Sequence, residues 1–216
     1  MYCDDILLLL DFGSVRFILI PLAIAGVLMA RQNRRDIFDP NEVGAFHAVQ
    51  RTVRRAWLCG TDPISGKSFE HRRIWIQKRL QELAAYFAID CLSFAVMVNH
   101  VHVILRNRPD VDAGWSDEEV ARRWWQLFPL RKNNDKTAAV PTESELKLFM
   151  TPARNKQLRI RLSDISWWMR ALAEPIARRS NAEDKCTGRF WNRPAFCSPL
   201  LNWMKRYEMQ AISLAA

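Results

Sequence analysis

The stretch "CLSFAVMVNHVHVIL", Cys91 to Leu105, constrains the fold most. Its apolar run reads as one long strand. Side chains of a strand alternate between faces. Leu92, Phe94, Val96, Val98, His100, His102 and Ile104 are therefore expected on one face, and Ala95, Met97, Asn99, Val101, Val103 and Leu105 on the other. A chain with only four histidines thus sets two of them in parallel on one strand. At a rise of about 3.3 Å per residue their backbones stand about 6.6 Å apart. Two neutral imidazoles at that spacing can converge on one divalent ion. The plainer alternative is that each imidazole hydrogen-bonds at a sheet surface. Arg106 and Arg108 follow at once and are placed to steer a phosphate backbone.

Other segments supply partners for this strand. Val43, Ala45, His47, Val49 and Thr52 come in near alternation and predict a first strand. "GTDPISGK" is a turn segment. From Phe69, the positions Ile76, Leu80, Leu83, Ala84 and Phe87 predict an amphipathic helix, with Arg72, Arg73, Lys78 and Arg79 on a basic outer face. Residues from about 110 to 162 read as a helical insertion. Ser116/Glu119 and Thr142/Glu145 are capping-box pairs that start helices there. Ile165, Trp168, Met169, Leu172 and Ile176 then line one helical face, and Pro175 is expected to kink or end that helix. Two Trp-Trp pairs, Trp124/Trp125 and Trp167/Trp168, cannot each point wholly to one side. One member of each is expected in the core, and the other to be exposed enough to stack a base. This order of strands and helices predicts an α+β fold, one sheet with helices packed on it.

Net charge is +9 and the pI about 9.7, which suits an acidic partner such as nucleic acid, or simply a basic enzyme. Five scattered cysteines without a CxxC argue against a zinc site or disulfide framework and for a reducing compartment. Residues 1–28 are far more apolar than the rest. Two readings stand: translation starting at Met29 with a spurious leader, or membrane anchoring through residues 6–30.

"VMVNHVHVIL" resembles the signature of the HUH single-tyrosine transposases, most closely the REP-associated tyrosine transposases, where the string reads like V-M-P-N-H-x-H-L-L-L. "AFHAVQRTVRRAWLC" is similar to the family's first strand with its Y-H-x-x-x-R-x-x-R pattern, matched by His47, Arg51 and Arg54. Asn181, Gly188 and Trp191 match the family's N-x-x-x-x-x-x-G-x-x-W spacing. The likeness spans roughly Asp36 to Trp191.

The resemblance implies a ferredoxin-like HUH domain with an antiparallel sheet, over residues 29–216. It implies Mg²⁺ or Mn²⁺ held by His100 and His102, with Gln210 a further ligand. It also implies metal-assisted cleavage and rejoining of DNA strands through a phosphotyrosine intermediate. Tyr207 is the one tyrosine that follows the Gly188/Trp191 turn, as the family's nucleophile does. Its surroundings, "YEMQAISLAA", lack the family's Asn-Pro, and "FWNRPAFCSP" departs from W-x-G-R-F from about residue 192. Either Tyr207 is the nucleophile on a shortened helix, or the chain is a non-cleaving DNA-binding relative that has lost it. Arg51, Arg54, Arg106, Arg108, Arg170 and Arg189 are the expected DNA contacts. The expected partners are single-stranded or hairpin DNA and a second copy of the chain in a homodimer, with no small-molecule substrate and no membrane. Cytoplasmic, nucleoid-associated placement follows, with the membrane anchor as its alternative.

Overall fold

The run from Cys91 to Leu105 folds as a hairpin, not as one strand. In the computed structural model, which describes residues 42–53, 56–192 and 196–199, strands β2 (Ile89–Val96) and β3 (His100–Asn107) are joined by the turn Met97–Asn99. The described residues fall in one unit, 34–216. The turn is pinned from outside. Met97 N donates to His100 O, Leu58 N to Val98 O, and both the amide and hydroxyl of Thr52 to Asn99 O. Buried backbone groups need such partners, and together they fix where β3 begins.

The hairpin changes the expected faces. A register shift at Cys91/Ser93 and the turn place Ala95 opposite His102 and Val96 opposite Val101. Val96 is therefore buried with Val101, Val103 and Leu105, not beside the histidines. Within β3 itself the expected alternation holds.

Strand β1 (Ala45–Arg51) pairs antiparallel with β3 and, on its other edge, with β4 (Phe196–Pro199). The four-stranded sheet has the order β2-β3-β1-β4. Helix α1 (His71–Tyr86) connects β1 to β2. Four helices follow β3: α2 (Pro109–Ala113), α3 (Asp117–Leu127), α4 (Glu143–Met150) and α5 (Pro152–Leu162). The long α6 (Ile165–Glu183) leads towards β4. Phe46 and Ala48 of β1 join Val101, Val103 and Leu105 in the core, which continues through Trp125, Leu158, Trp168 and Leu172 of the helices.

Local chemistry explains the ends. Ser116 Oγ accepts from Glu119 N at the start of α3, and Thr142 and Glu145 form a reciprocal capping box at α4. Asp164 caps Ser166 N and Trp167 N of α6.

Three expectations are corrected. Helix α6 runs through Pro175 to Glu183. A proline there has no N–H for the carbonyl four residues back, and Arg79 Nε donates to that carbonyl, Ala171 O, at 3.0 Å. Arg72, expected on the outer face of α1, is fully buried and binds Trp57 O, Glu183 and Asp184, tying the start of α1 to the end of α6. Trp124 is buried along with Trp125, packed on Phe128 and Trp167. In the second pair only Trp167 is partly exposed, while Trp168 fills core.

Among the described residues no helix is long and apolar enough to cross a membrane. The leader 1–28 and the whole of the expected anchor 6–30 lie outside the described residues.

Candidate metal and nucleic-acid site

The helices cover one face of the sheet. His47, Val49 and Arg51 of β1 and His100, His102, Ile104 and Arg106 of β3 alternate onto the other. Arg51 lies opposite His100 and Val49 opposite His102, so His47 is the diagonal neighbour of His102. Diagonal positions stay within reach of large side chains. Three of the four histidines therefore gather at one place.

Their geometry is specific. The His100 and His102 rings stand 4.8 Å apart at an interplanar angle of 66°. His100 Nδ1 donates to Asn99 Oδ1 at 2.6 Å. An amide oxygen only accepts, so His100 carries its proton on Nδ1 and leaves Nε2 with a free lone pair. His47 Nε2 and His102 Nδ1 lie 2.9 Å apart, their rings 5.1 Å between centroids and within 16° of coplanar. His102 is 9% exposed, and among the described residues its buried Nε2 has no hydrogen-bond partner.

Burial and charge keep all three rings neutral near pH 7. Burial lowers the pKa of His47. Burial, with help from the Arg51 cation, lowers that of His100. Burial first, then the neighbouring His100 and His47, pushes His102 down to about 4. Neutral imidazoles are the form that ligates metals.

The donor set fits a divalent cation in part. The orphaned Nε2 of His102 and the free lone pair of His100 are two nitrogen donors on adjacent rings. Among the described residues no group of three His, Cys, Asp or Glu side chains is arranged to hold a metal ion. A third ligand must come from elsewhere, and Gln210 lies outside the described residues, as do Tyr207 and Arg54.

The remaining expected DNA-binding residues are dispersed. Arg106 shares the histidine face but bonds Asp90 at 2.6 Å. Arg108 binds Asp110 and Asp90. Arg170 stands on α6, in the helical layer, beside Trp167. Arg189 lines a cleft of about 640 Å³ together with Asn99, Trp57, Phe190, Asn181 and Asp184. This cleft adjoins the histidines through Asn99. Asn181, Gly188 and Trp191 shape the loop beyond α6. Asn181 Nδ2 donates to Gly188 O, Gly188 takes a φ of 104°, and Trp191 Nε1 donates to Ala173 O.

His47 is the site residue that the sequence places on the first strand without joining it to His100 and His102. Its place depends on the β1–β3 register, which no local pattern encodes. No protein-family model matches this chain, and no curated protein matches it.

Proposed function

We propose that this chain is a ferredoxin-like HUH protein of the REP-associated tyrosine transposase kind, which binds single-stranded or hairpin DNA beside His100 and His102. The observation that carries this is the pair of adjacent neutral imidazoles on a central strand, each with an Nε2 that has no partner among the described residues. Further support comes from the topology. A β-α-β-β-helical-β order with strands arranged β2-β3-β1-β4, all antiparallel, is in keeping with a split-βαβ arrangement.

His100 and His102 would hold Mg²⁺ or Mn²⁺, with an oxygen donor such as Gln210 completing the set. When bound, the ion supplies Lewis-acid polarisation of the scissile phosphate. His47 accepts from His102 Nδ1–H, which fixes the tautomer that leaves the Nε2 lone pair available. Asn99 does the same for His100. Arg51, opposite His100, attracts the DNA backbone to the site. Tyr207 Oη attacks the phosphorus, an O–P bond forms to tyrosine, and the bond to the 3′ oxygen breaks. The tyrosine proton passes through solvent to the departing oxygen, which leaves as a 3′-OH. Rejoining is the reverse exchange and needs no ATP.

Incubation of the full chain with end-labelled DNA hairpins and Mn²⁺ tests this. A covalent protein–DNA adduct that His100→Ala and Tyr207→Phe each abolish supports cleavage. Binding without any adduct assigns the chain to the non-cleaving relatives. Absence of hairpin binding at low salt refutes both.

A further inference from the structure

Most arginines of the helical layer are neutralised. Arg122, Arg123, Arg159 and Arg178 each hold an acid within 3.0 Å. Arg161 does not. Among the described residues its guanidinium has no hydrogen-bond or ion-pair partner. It rests instead over Trp167 at 4.4 Å and Trp124 at 5.6 Å. Arg170 lies over the same Trp167 at 5.1 Å and reaches Glu174 only at 3.9 Å, while Glu174 holds Arg178 at 2.8 Å. Among the described residues Arg154, two turns before Arg161 on α5, bonds only the neutral Gln157. Asp164, the acid nearest in sequence, is engaged as the cap of α6. Burial and the cations of Arg154 and Arg170 both act against the charge on Arg161.

Two guanidiniums, Arg161 and Arg170, are thus held on two indoles, with Arg154 two turns before Arg161 on the same helix, and among the described residues only the long Arg170–Glu174 contact sets an acid against them. A stacked guanidinium uses its face on the ring and keeps its N–H edge free. That edge is matched to the two oxygens of a phosphate. Trp167 also stands about 21 Å along α6 from Asn181, at 1.5 Å per residue. Asn181 lines the cleft that contains Asn99, next to His100. About six base-pair steps of 3.4 Å cover that distance.

We propose that Arg161 and Arg170, stacked on Trp124 and Trp167, form with Arg154 a second nucleic-acid site that grips the phosphodiester backbone of a hairpin stem. The choice of nucleic acid as the phosphate donor rests on the proposed function. The site itself is separate from the histidines and lies in the helical layer, on the other side of the sheet.

The test is the salt dependence of hairpin binding, which reads neutralised phosphates regardless of DNA sequence. Fluorescence anisotropy with a twelve-base-pair hairpin and with an unstructured strand of equal length is measured from 50 to 200 mM KCl. The double variant Arg154→Gln/Arg161→Gln should flatten the slope of log K against log salt by about 1.8 for the hairpin, about 0.9 for each phosphate that is no longer neutralised. It should leave the unstructured strand unchanged, with circular dichroism showing that the variant keeps its fold. Arg161→Lys should keep most of the slope. An unaltered hairpin slope in the double variant overturns the second site while leaving the histidine site standing. A flattened slope in a protein whose histidines bind no Mn²⁺ upholds this site and overturns the proposed function. A wild-type chain that binds neither DNA overturns both.

Discussion

Replacing His47 with alanine should weaken Mn²⁺ binding by about thirtyfold. The ring lies outside the pair that would touch the ion, yet its Nε2 is 2.9 Å from His102 Nδ1. Alanine removes a hydrogen bond with a net worth of about 1 kcal/mol and leaves a buried N–H unsatisfied, a cost of about 1–3 kcal/mol. Taking about 2 kcal/mol, and 1.4 kcal/mol per factor of ten, gives the thirtyfold figure. It falls within the roughly 10–100-fold range typical of groups that orient a metal-binding histidine. His47→Gln places an amide oxygen near the position of Nε2 and should recover affinity to within about threefold. Free Mn²⁺ is read by electron paramagnetic resonance during titration of the full chain, with circular dichroism to show that each variant folds. An affinity unchanged by alanine, or a glutamine variant as weak as alanine, refutes the orienting role.

Three further outcomes follow from other parts of the fold. Arg79→Met strands the Ala171 carbonyl and should cost about 1–3 kcal/mol; in a Pro175→Ala background, where residue 175 regains its N–H, chemical denaturation should show a smaller loss. Arg72→Met leaves Glu183 and Asp184 without their buried partner and should cost about 3 kcal/mol by the same measurement. In metal-free protein, the pKa values of His47, His100 and His102 lie below the unfolded value of 6.5, with His102 at about 4. The unfolded chain then binds more protons, so stability is full above pH 6.5 and falls as pH drops toward 4; melting temperatures at pH 7.5, 6.0 and 5.0 should descend, and a flat series contradicts the burial of these rings.

Much of the architecture is legible where local rules decide it. Ser116, Thr142 and their glutamates mark helix starts because capping acts across only three residues. The apolar stripe of α6 and the alternation of β1 and β3 encode burial directly. The hairpin is hidden in the sequence because Met97–Asn99 carries no Gly or Pro and is stabilised by Thr52 and Leu58, far away along the chain. Arg72 is misplaced by periodicity because a helical wheel cannot foresee that Glu183 and Asp184 arrive to neutralise it. Pro175 misleads for a similar reason, its stranded carbonyl being served by another helix. At the site, the pairing of His100 with His102 is readable from strand periodicity alone, while His47 requires the register between two strands.

Paramagnetic broadening tests the central claim most directly. Substoichiometric Mn²⁺ added to the folded chain should broaden the imidazole proton signals of His100 and His102 first, His47 next, and leave those of His71 sharp. His100→Ala/His102→Ala should abolish the effect. Uniform or absent broadening at these rings would contradict a cation held by the two Nε2 atoms, and with it the assignment of a DNA-processing site to this sheet.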